Sequence, residues 1–297
     1  MRISPLRMAL VSIAFAAAAS APAAAQRGDR TRETVYDQSF NVSAGDRLVV
    51  DVGDMDVRVE SGSAARIHVI AWAKDHAFAR DIYEEMRFSA GASGGTLTIE
   101  TDEPRNWSYD WQEWQRRGGA SFTAIVTVPE RFDLDLKTGD GDVTVGSFNG
   151  AVAVNTGDGD VRLESVSGPE IRLRTGDGDV TAESLDAPTI SLDTGDGDLI
   201  VRQASGAVTA SSGDGDIRIE VGRYEGLSIR TGDGDVTVFA DPSIRANVDV
   251  NGEDLSMGRS FTLSGRIEED RLSGTLNGGG PELRIRTGDG SVSIRGR

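Results

Sequence analysis

The sequence predicts an all-β protein: a parallel β-solenoid, β-helix-like, of 18–19-residue coils, with an N-terminal β-rich capping region that carries one helix. Three observations predict it. The first is a repeat. Thr138-Gly139-Asp140-Gly141-Asp142-Val143 recurs at Thr156 to Val161, Thr175 to Val180, Thr194 to Leu199, Ser212 to Ile217 and Thr231 to Val236. A worn copy, Thr287 to Val292, has Ser291 in place of the last Asp. Successive copies begin 18, 19, 19, 18 and 19 residues apart, and a short fixed period means one supersecondary unit stacked on the next. The second is alternation. Ile171, Leu173 and Thr175 share one parity, and Val180 and Ala182 the other. Period two means strands with one face inward, and the parity change marks a corner. The third is constancy. Thr and the following apolar residue are five steps apart at every clean corner, while the opposite connection varies.

Taken in order, the chain opens on a removable segment, residues 1–25. Arg2 and Arg7 give a basic start, Met8 to Ala19 is apolar but too short to span a bilayer, and Ala23-Ala24-Ala25 offers a cleavage site. The expected product is exported, to the periplasm or the cell surface, with no transmembrane segment. Removing Arg2 and Arg7 takes 31 Lys and Arg to 29 against 48 Asp and Glu, so the net charge moves from −17 to −19. Such a surface repels phosphate backbones and excludes nucleic acid as a partner. With no Cys, the fold uses no disulfides.

Residues 26–45 read as a flexible polar segment. A capping region, 46–137, follows. Leu48, Val50 and Val52, then Val57 and Val59, flank Gly53-Asp54-Met55-Asp56, a degenerate corner with the same five-step span. Ile67, Val69 and Ala71 continue as a strand. Residues 75–87 predict the helix, with Phe78, Ile82 and Met86 on one face. Thr96 to Thr101 and Ser121 to Val128 are two more strands. The regular array spans 138–240, and irregular coils and a cap fill 241–297. There Val250 to Leu255 is a worn corner, Phe261 to Leu276 a hairpin-like coil, and Leu283, Ile285, Val292 and Ile294 the last coil.

Within the array, Gly139, Gly141 and their equivalents suit a turn needing positive φ. An apolar residue in the opposite connection, namely Phe148, Val166, Leu185, Ala204 and Tyr224, predicts a further inward column. Stacking would align Asp140, Asp158, Asp177, Asp196, Asp214 and Asp233 in one column. Asp142, Asp160, Asp179, Asp198, Asp216 and Asp235 would form a second. Unit charges spaced by ~4.8 Å repel by about 0.9 kcal/mol per pair in water, and by several times that at an effective dielectric near 20. Two offsets are open: backbone N–H groups donating within each tight turn, or shared cations, Ca²⁺ first in an exported oxygen-rich site. The residues just before each corner, Lys137, Asn155, Arg174, Asp193, Ser211 and Arg230, place no two like charges side by side.

Residues 104–119 interrupt the β pattern with Trp107, Tyr109, Trp111 and Trp114. The three Trp fall at i, i+4, i+7 and would share one helix face. They either pack onto the flank of the β structure or form a stacking platform for sugars or a protein partner.

The GDGDV corners, Ala124-Ile125-Val126-Thr127-Val128-Pro129 before the array, and Gly278-Gly279-Gly280-Pro281 before the last corner resemble the bacterial putative adhesin family of β-strand-repeat proteins. That family is a domain of unknown function. The resemblance spans roughly residues 35–297 and implies an extracytoplasmic β-solenoid. It supplies no catalytic residues, and the Trp-rich insert lies outside its pattern.

The expected function is non-enzymatic: an exported binding, adhesion or structural protein of the cell envelope, facing an envelope protein or a glycan surface, with no cofactor unless Ca²⁺ joins the Asp columns. One alternative is a polysaccharide-active β-helix enzyme. The other is an envelope-stress accessory protein that binds a membrane regulator. An acid–base pair needs two distinct environments, whereas these Asp residues are near copies. His68 and His76 both lie outside the array, and no nucleophile or HExxH-type motif appears.

Overall fold

A computed structural model describes residues 30–102 and 111–297. The expected removable segment, residues 1–25, lies outside the described residues, as do Trp107 and Tyr109. The protein is all-β; the described residues form a single linked sheet system and two short helices. The N-terminal part holds β1 (Thr31–Phe40), β2 (Arg47–Asp51), β3 (Asp56–Ser61), β4 (Ala65–Ala73), α1 (His76–Glu85), β5 (Ser89–Ser93), β6 (Thr96–Glu100), α2 (Trp111–Arg117) and β7 (Ala120–Val128). The array holds β8 (Asp133–Lys137), β9 (Val143–Asn149), β10 (Val152–Asn155), β11 (Val161–Ser167) and β12 (Glu170–Arg174), then the long β13 (Val180–Asp193), β14 (Leu199–Ser211) and β15 (Ile217–Arg230). The C-terminal part holds β16 (Val236–Ala240), β17 (Ala246–Asn251), β18 (Leu255–Met257), β19 (Leu263–Ile267), β20 (Arg271–Leu276), β21 (Glu282–Arg286) and β22 (Val292–Gly296).

Before each corner, β8, β10 and β12 pair in parallel, and the series continues through the second halves of β13, β14 and β15. After each corner, β9, β11 and the first halves of β13, β14 and β15 do the same. The register is one repeat per layer: Val143 faces Val161, Val161 faces Val180, and Val180 faces Leu199. Inward residues such as Leu173, Val180, Leu192 and Leu199 are fully buried. A third inward column runs Phe148, Val166, Leu185 and Ala204, then Val221. Val221 stands where Tyr224 was expected. The pairing there shifts register, and Tyr224 instead lies beside Gly206.

Both ends depart from chain order in the same way. The degenerate corner Gly53 to Asp56 stacks directly on the first clean corner, with β2 on β8 and β3 on β9. Beyond it lies a later layer, with β6 on β2 and β7 on β3. At the other end β21 and β22 pair with β15 and β16 on one side and with β17 and β18 on the other. The last coil in sequence is therefore an interior layer, and the β19–β20 hairpin lies antiparallel beyond β17. Tyr224 helps seat the inserted layer. Its hydroxyl donates to the Glu282 carbonyl at 2.7 Å, and burial pushes its phenol up from the ordinary value. Antiparallel hairpins at both ends satisfy the terminal strands, since an open parallel edge invites pairing with other chains.

Within the segment read as flexible, 26–45, Thr31–Phe40 form a strand. β1 runs antiparallel to β4 from Thr31 to Phe40. Side chains hold it there: Asp37 accepts from Arg66, His68 and His76 meet Thr34 and Thr31 at 2.9 and 2.7 Å, and Glu33 pairs with Arg80. Tyr36 rests on Phe88 with ring centroids 4.9 Å apart. The polar composition is thus ladder chemistry on an otherwise open edge. α1 lies within the helix expected over 75–87. Asp75 caps it by accepting from the Phe78 N–H at 3.1 Å, and Phe78, Ala79 and Ile82 are buried.

Deleting residues 282–297 tests the interior placement of the last coil. That layer buries Leu283, Ile285, Val292 and Ile294, each contributing about 1.5–3 kcal/mol. The sum, roughly 6–12 kcal/mol, rivals the whole stability of a typical domain. The truncated chain is expected to lose its cooperative thermal transition. A transition within a few degrees of the full chain would place that coil at a dispensable end.

Candidate functional site: the corner stripe and the aromatic insert

Stacking turns the spaced motif into a stripe of corners. Its first position is a buried hydroxyl. Thr138, Thr156, Thr175, Thr194, Ser212 and Thr231 are 3–7% exposed, and Thr287 is 9% exposed. Each hydroxyl reaches the layer before it. Thr156 donates to the carbonyls of Gly139 and Gly141 at 2.9 and 3.1 Å, and Thr175 to Gly159 at 2.9 Å. Thr194, Ser212 and Thr231 repeat the bond, and Thr287 of the inserted layer makes it to Gly234 at 3.0 Å. The same oxygen accepts from its own corner, as from the Gly178 N–H at 3.2 Å. One buried atom thus closes the turn and ties it to its neighbour. The signal lies in the sequence: every first position of the clean corners and of the closing copy bears a hydroxyl, Ser212 included.

The glycines have a different reason from the one expected. No corner glycine of the clean array has positive φ. A Cβ on Gly159 would stand 2.1 Å from the Gly141 carbonyl oxygen, and one on Gly178 would stand 2.2 Å from that of Gly159. The layers approach too closely for any side chain. The first glycine of each corner also donates its N–H to the equivalent carbonyl one layer back, as Gly157 does to Gly139 and Gly176 to Gly157.

The second Asp column is a ladder. The Asp142 carboxylate accepts the Asp160 N–H at 3.0 Å, Asp160 accepts from Asp179 at 2.9 Å, and Asp179 from Asp198 at 2.9 Å. Asp198 accepts from Asp216, Asp216 from Asp235, and Asp235 from Ser291, each at 2.8 Å. One of the two expected offsets was an N–H bond inside each turn. The bonds instead run between turns, so a ladder of repelling charges also fastens the layers. Ser291 donates this bond through its backbone N–H, so the worn corner keeps its tie to the layer before it without an Asp of its own. Arg162 adds cationic contacts to Asp160 at 2.7 Å and Asp142 at 3.9 Å. The first column, Asp140, Asp158, Asp177, Asp196, Asp214 and Asp233, is exposed along the rim. Among the described residues, no group of three or more His, Asp or Glu is arranged to hold a metal ion.

The aromatic insert occupies a corner position. Glu100 aligns with Asp51 and Lys137, so Thr101 follows as Thr138 follows Lys137. Thr101 accepts the Gly53 N–H through its hydroxyl at 3.0 Å. The chain rejoins the register at Thr123 and Ala124, opposite Asp56 and Val57. The insert therefore replaces the corner of the outermost N-terminal layer. Trp111 opens α2. Trp114 is half-buried against the core, its ring edge-on to Phe78 at 6.0 Å. Arg117 lies over the other part of this contact, 5.0 Å from the Phe78 ring centre and 3.4 Å from the Asp75 carboxylate. Gly118 and Gly119, both at positive φ, end the helix. A Cβ on Gly119 would meet the Trp114 indole at 2.8 Å. Trp114 is thus a packing residue that docks α2 onto α1.

Stacked in-register corners define an all-β repeat protein. Residues 45–295 match the family described as Toastrack DUF4097, and the chain belongs to that family. No curated protein matches the chain. Among solved structures it is similar to a putative adhesin from Bacteroides fragilis, 13% identical, over 88% of this chain and 96% of that one, with a TM-score of 0.47. A putative adhesin from Parabacteroides distasonis is 12% identical over 90% and 98%, at 0.46. A putative lipid binding protein from the same species is 16% identical over 90% and 94%, at 0.43.

Substitutions in the central corner separate the two devices. Thr175→Val keeps the shape but strands the Gly159 carbonyl, and is expected to destabilise by about 1–3 kcal/mol. Thr175→Ser should recover most of that. Gly178→Ala, driven into backbone, should lose about 3 kcal/mol. Urea unfolding of the three variants checks the ranking; a neutral Gly178→Ala would contradict the close approach.

Proposed function

We propose that the protein is an exported, non-enzymatic binding or adhesion protein of the cell envelope, built as a rigid parallel β-solenoid of 18–19-residue coils. The observation that carries this reading is the unbroken register of the corners, from Asp56 through Asp235 to Ser291. Such a frame displays outward side chains at fixed spacing on flat ladders, which suits extended contacts more than a closed reaction pocket. Export rests on the basic, apolar and small-residue order of residues 1–25.

The equivalence of the corners argues against catalysis. Asp160, Asp179, Asp198 and Asp216 each accept one N–H bond from the next layer at 2.8–2.9 Å. Acid and base roles need unlike surroundings, and these are copies. We also assign the corner carboxylates a structural role with no resident cation, because backbone N–H groups already engage the second column. Chelation checks this directly: EDTA is expected to leave the melting temperature unchanged, and a fall reversed by Ca²⁺ would establish a cation.

Two assays test the binding role. Glycan-array binding weakened by Trp111→Ala would place a sugar platform on the insert. Affinity capture from envelope extract that returns one membrane regulator, with no glycan bound, would favour the accessory-protein reading. Turnover of any polysaccharide would overturn the non-enzymatic assignment.

A further inference from the structure

The insertion of β21 beside β15 breaks the charge rule of the outward ladder. In chain order, the residues before successive corners never place two like charges together. In space, Arg230 stands directly beside Arg286, and Ser228 beside Arg284. Fifty-six residues separate Arg230 and Arg286 in sequence, so only the fold brings them together. Neighbouring like charges on a ladder destabilise it. Here they persist in a chain of net charge −17.

The surroundings leave this pair under-neutralised. Arg230 makes no ion pair among the described residues. Arg286 reaches Asp249 at 3.7 Å, a carboxylate that Arg271 already holds at 3.0 Å. Arg284 pairs with Glu282 on its own strand at 2.5 Å, and its buried Nε has no hydrogen-bond acceptor among the described residues. These guanidinium groups line a groove of about 320 Å³. Its remaining outward lining is short and hydroxylic: Thr209 and Ser211 from β14 and Ser228 from β15. In-register rows read Thr209, Ser228, Arg284 and Ser211, Arg230, Arg286. Short Thr209, Ser211 and Ser228 beside long Arg230, Arg284 and Arg286 make the depression.

We propose that this groove binds a carboxylate-bearing polysaccharide. The planar forks of Arg230 and Arg286 hold a uronate carboxylate, for which guanidinium geometry is matched. Thr209 and Ser228 meet the sugar hydroxyls. A membrane surface fits less well, because the flanking outward positions on β14 and β15 are Ala207 and Gly226, with no large apolar side chain to insert. This inference rests on the binding role proposed above and names its ligand class.

The test uses the full mature chain with polygalacturonate, neutral dextran and anionic phospholipid vesicles as probes, at two salt concentrations. Polygalacturonate alone is expected to bind, more weakly at high salt. Arg230→Gln with Arg286→Gln should weaken it by at least about tenfold. Melting of Arg230→Gln should be unchanged or higher, since a repulsive neighbour is removed; a purely structural arginine would lower it. Absence of polygalacturonate binding, binding indifferent to both substitutions, or Arg-dependent binding only to vesicles would each overturn the proposal. If dextran or an envelope protein binds with Arg230 and Arg286 replaced, the broader binding role survives and this site does not.

Discussion

The structure depends on one close approach. At every clean corner the backbone of one layer touches the backbone of the layer before it so nearly that a methyl group would overlap a carbonyl oxygen. That contact needs a glycine on the approaching side, whatever residue supplies the carbonyl: Gly141 meets Met55 in the same way. It fixes the register, because a slip of one residue would bring a side chain into the gap. The buried Thr hydroxyl then satisfies the carbonyls that the contact removes from water, where an unpaired polar group is costly. The carboxylate next along the turn takes the remaining N–H. Three residue types in a row thus solve one problem, and the repeat exists because the problem recurs at each layer.

Fixing the register in this way frees the rest of the coil. The opposite connection absorbs all the variation in length, and its pairing shifts by a residue where β14 meets β15. Outward positions carry whatever charge a neighbour tolerates: Lys137 beside Asp51, Arg202 beside Glu183, and Arg174 near Asp193. The same freedom lets one corner be replaced altogether. The aromatic insert leaves the stack after Thr101 and re-enters it at Thr123 without disturbing the strands on either side. Functional variation in such a protein belongs on ladders and inserts, while the corners remain constant.

The all-β character, the repeat length and the inward residues were legible in the sequence, because parity and spacing are local properties. The degenerate corner at Gly53 to Asp56 was legible for the same reason. The glycine role was misread: a turn glycine suggests positive φ, and close approach between layers leaves no local mark. The Asp bonds were misread likewise, since donor and acceptor lie 18 or 19 residues apart. β1 was missed because an edge strand held by ion pairs has the composition of a loose segment. The order of layers at the two ends was not legible at all. Which layer a coil stacks on is decided by pairing between distant strands, and that decision creates the Arg230–Arg286 neighbours. Of the aromatic residues, Trp114 is accounted for by Phe78 and Arg117.

Amide hydrogen exchange at the corners tests this account most directly. If each turn is bonded to the next, the N–H groups of Asp160, Asp179, Asp198 and Asp216 exchange as slowly as those of the buried strands beside them. Exchange at the rate of an open, solvated turn, with the strands still protected, would contradict it.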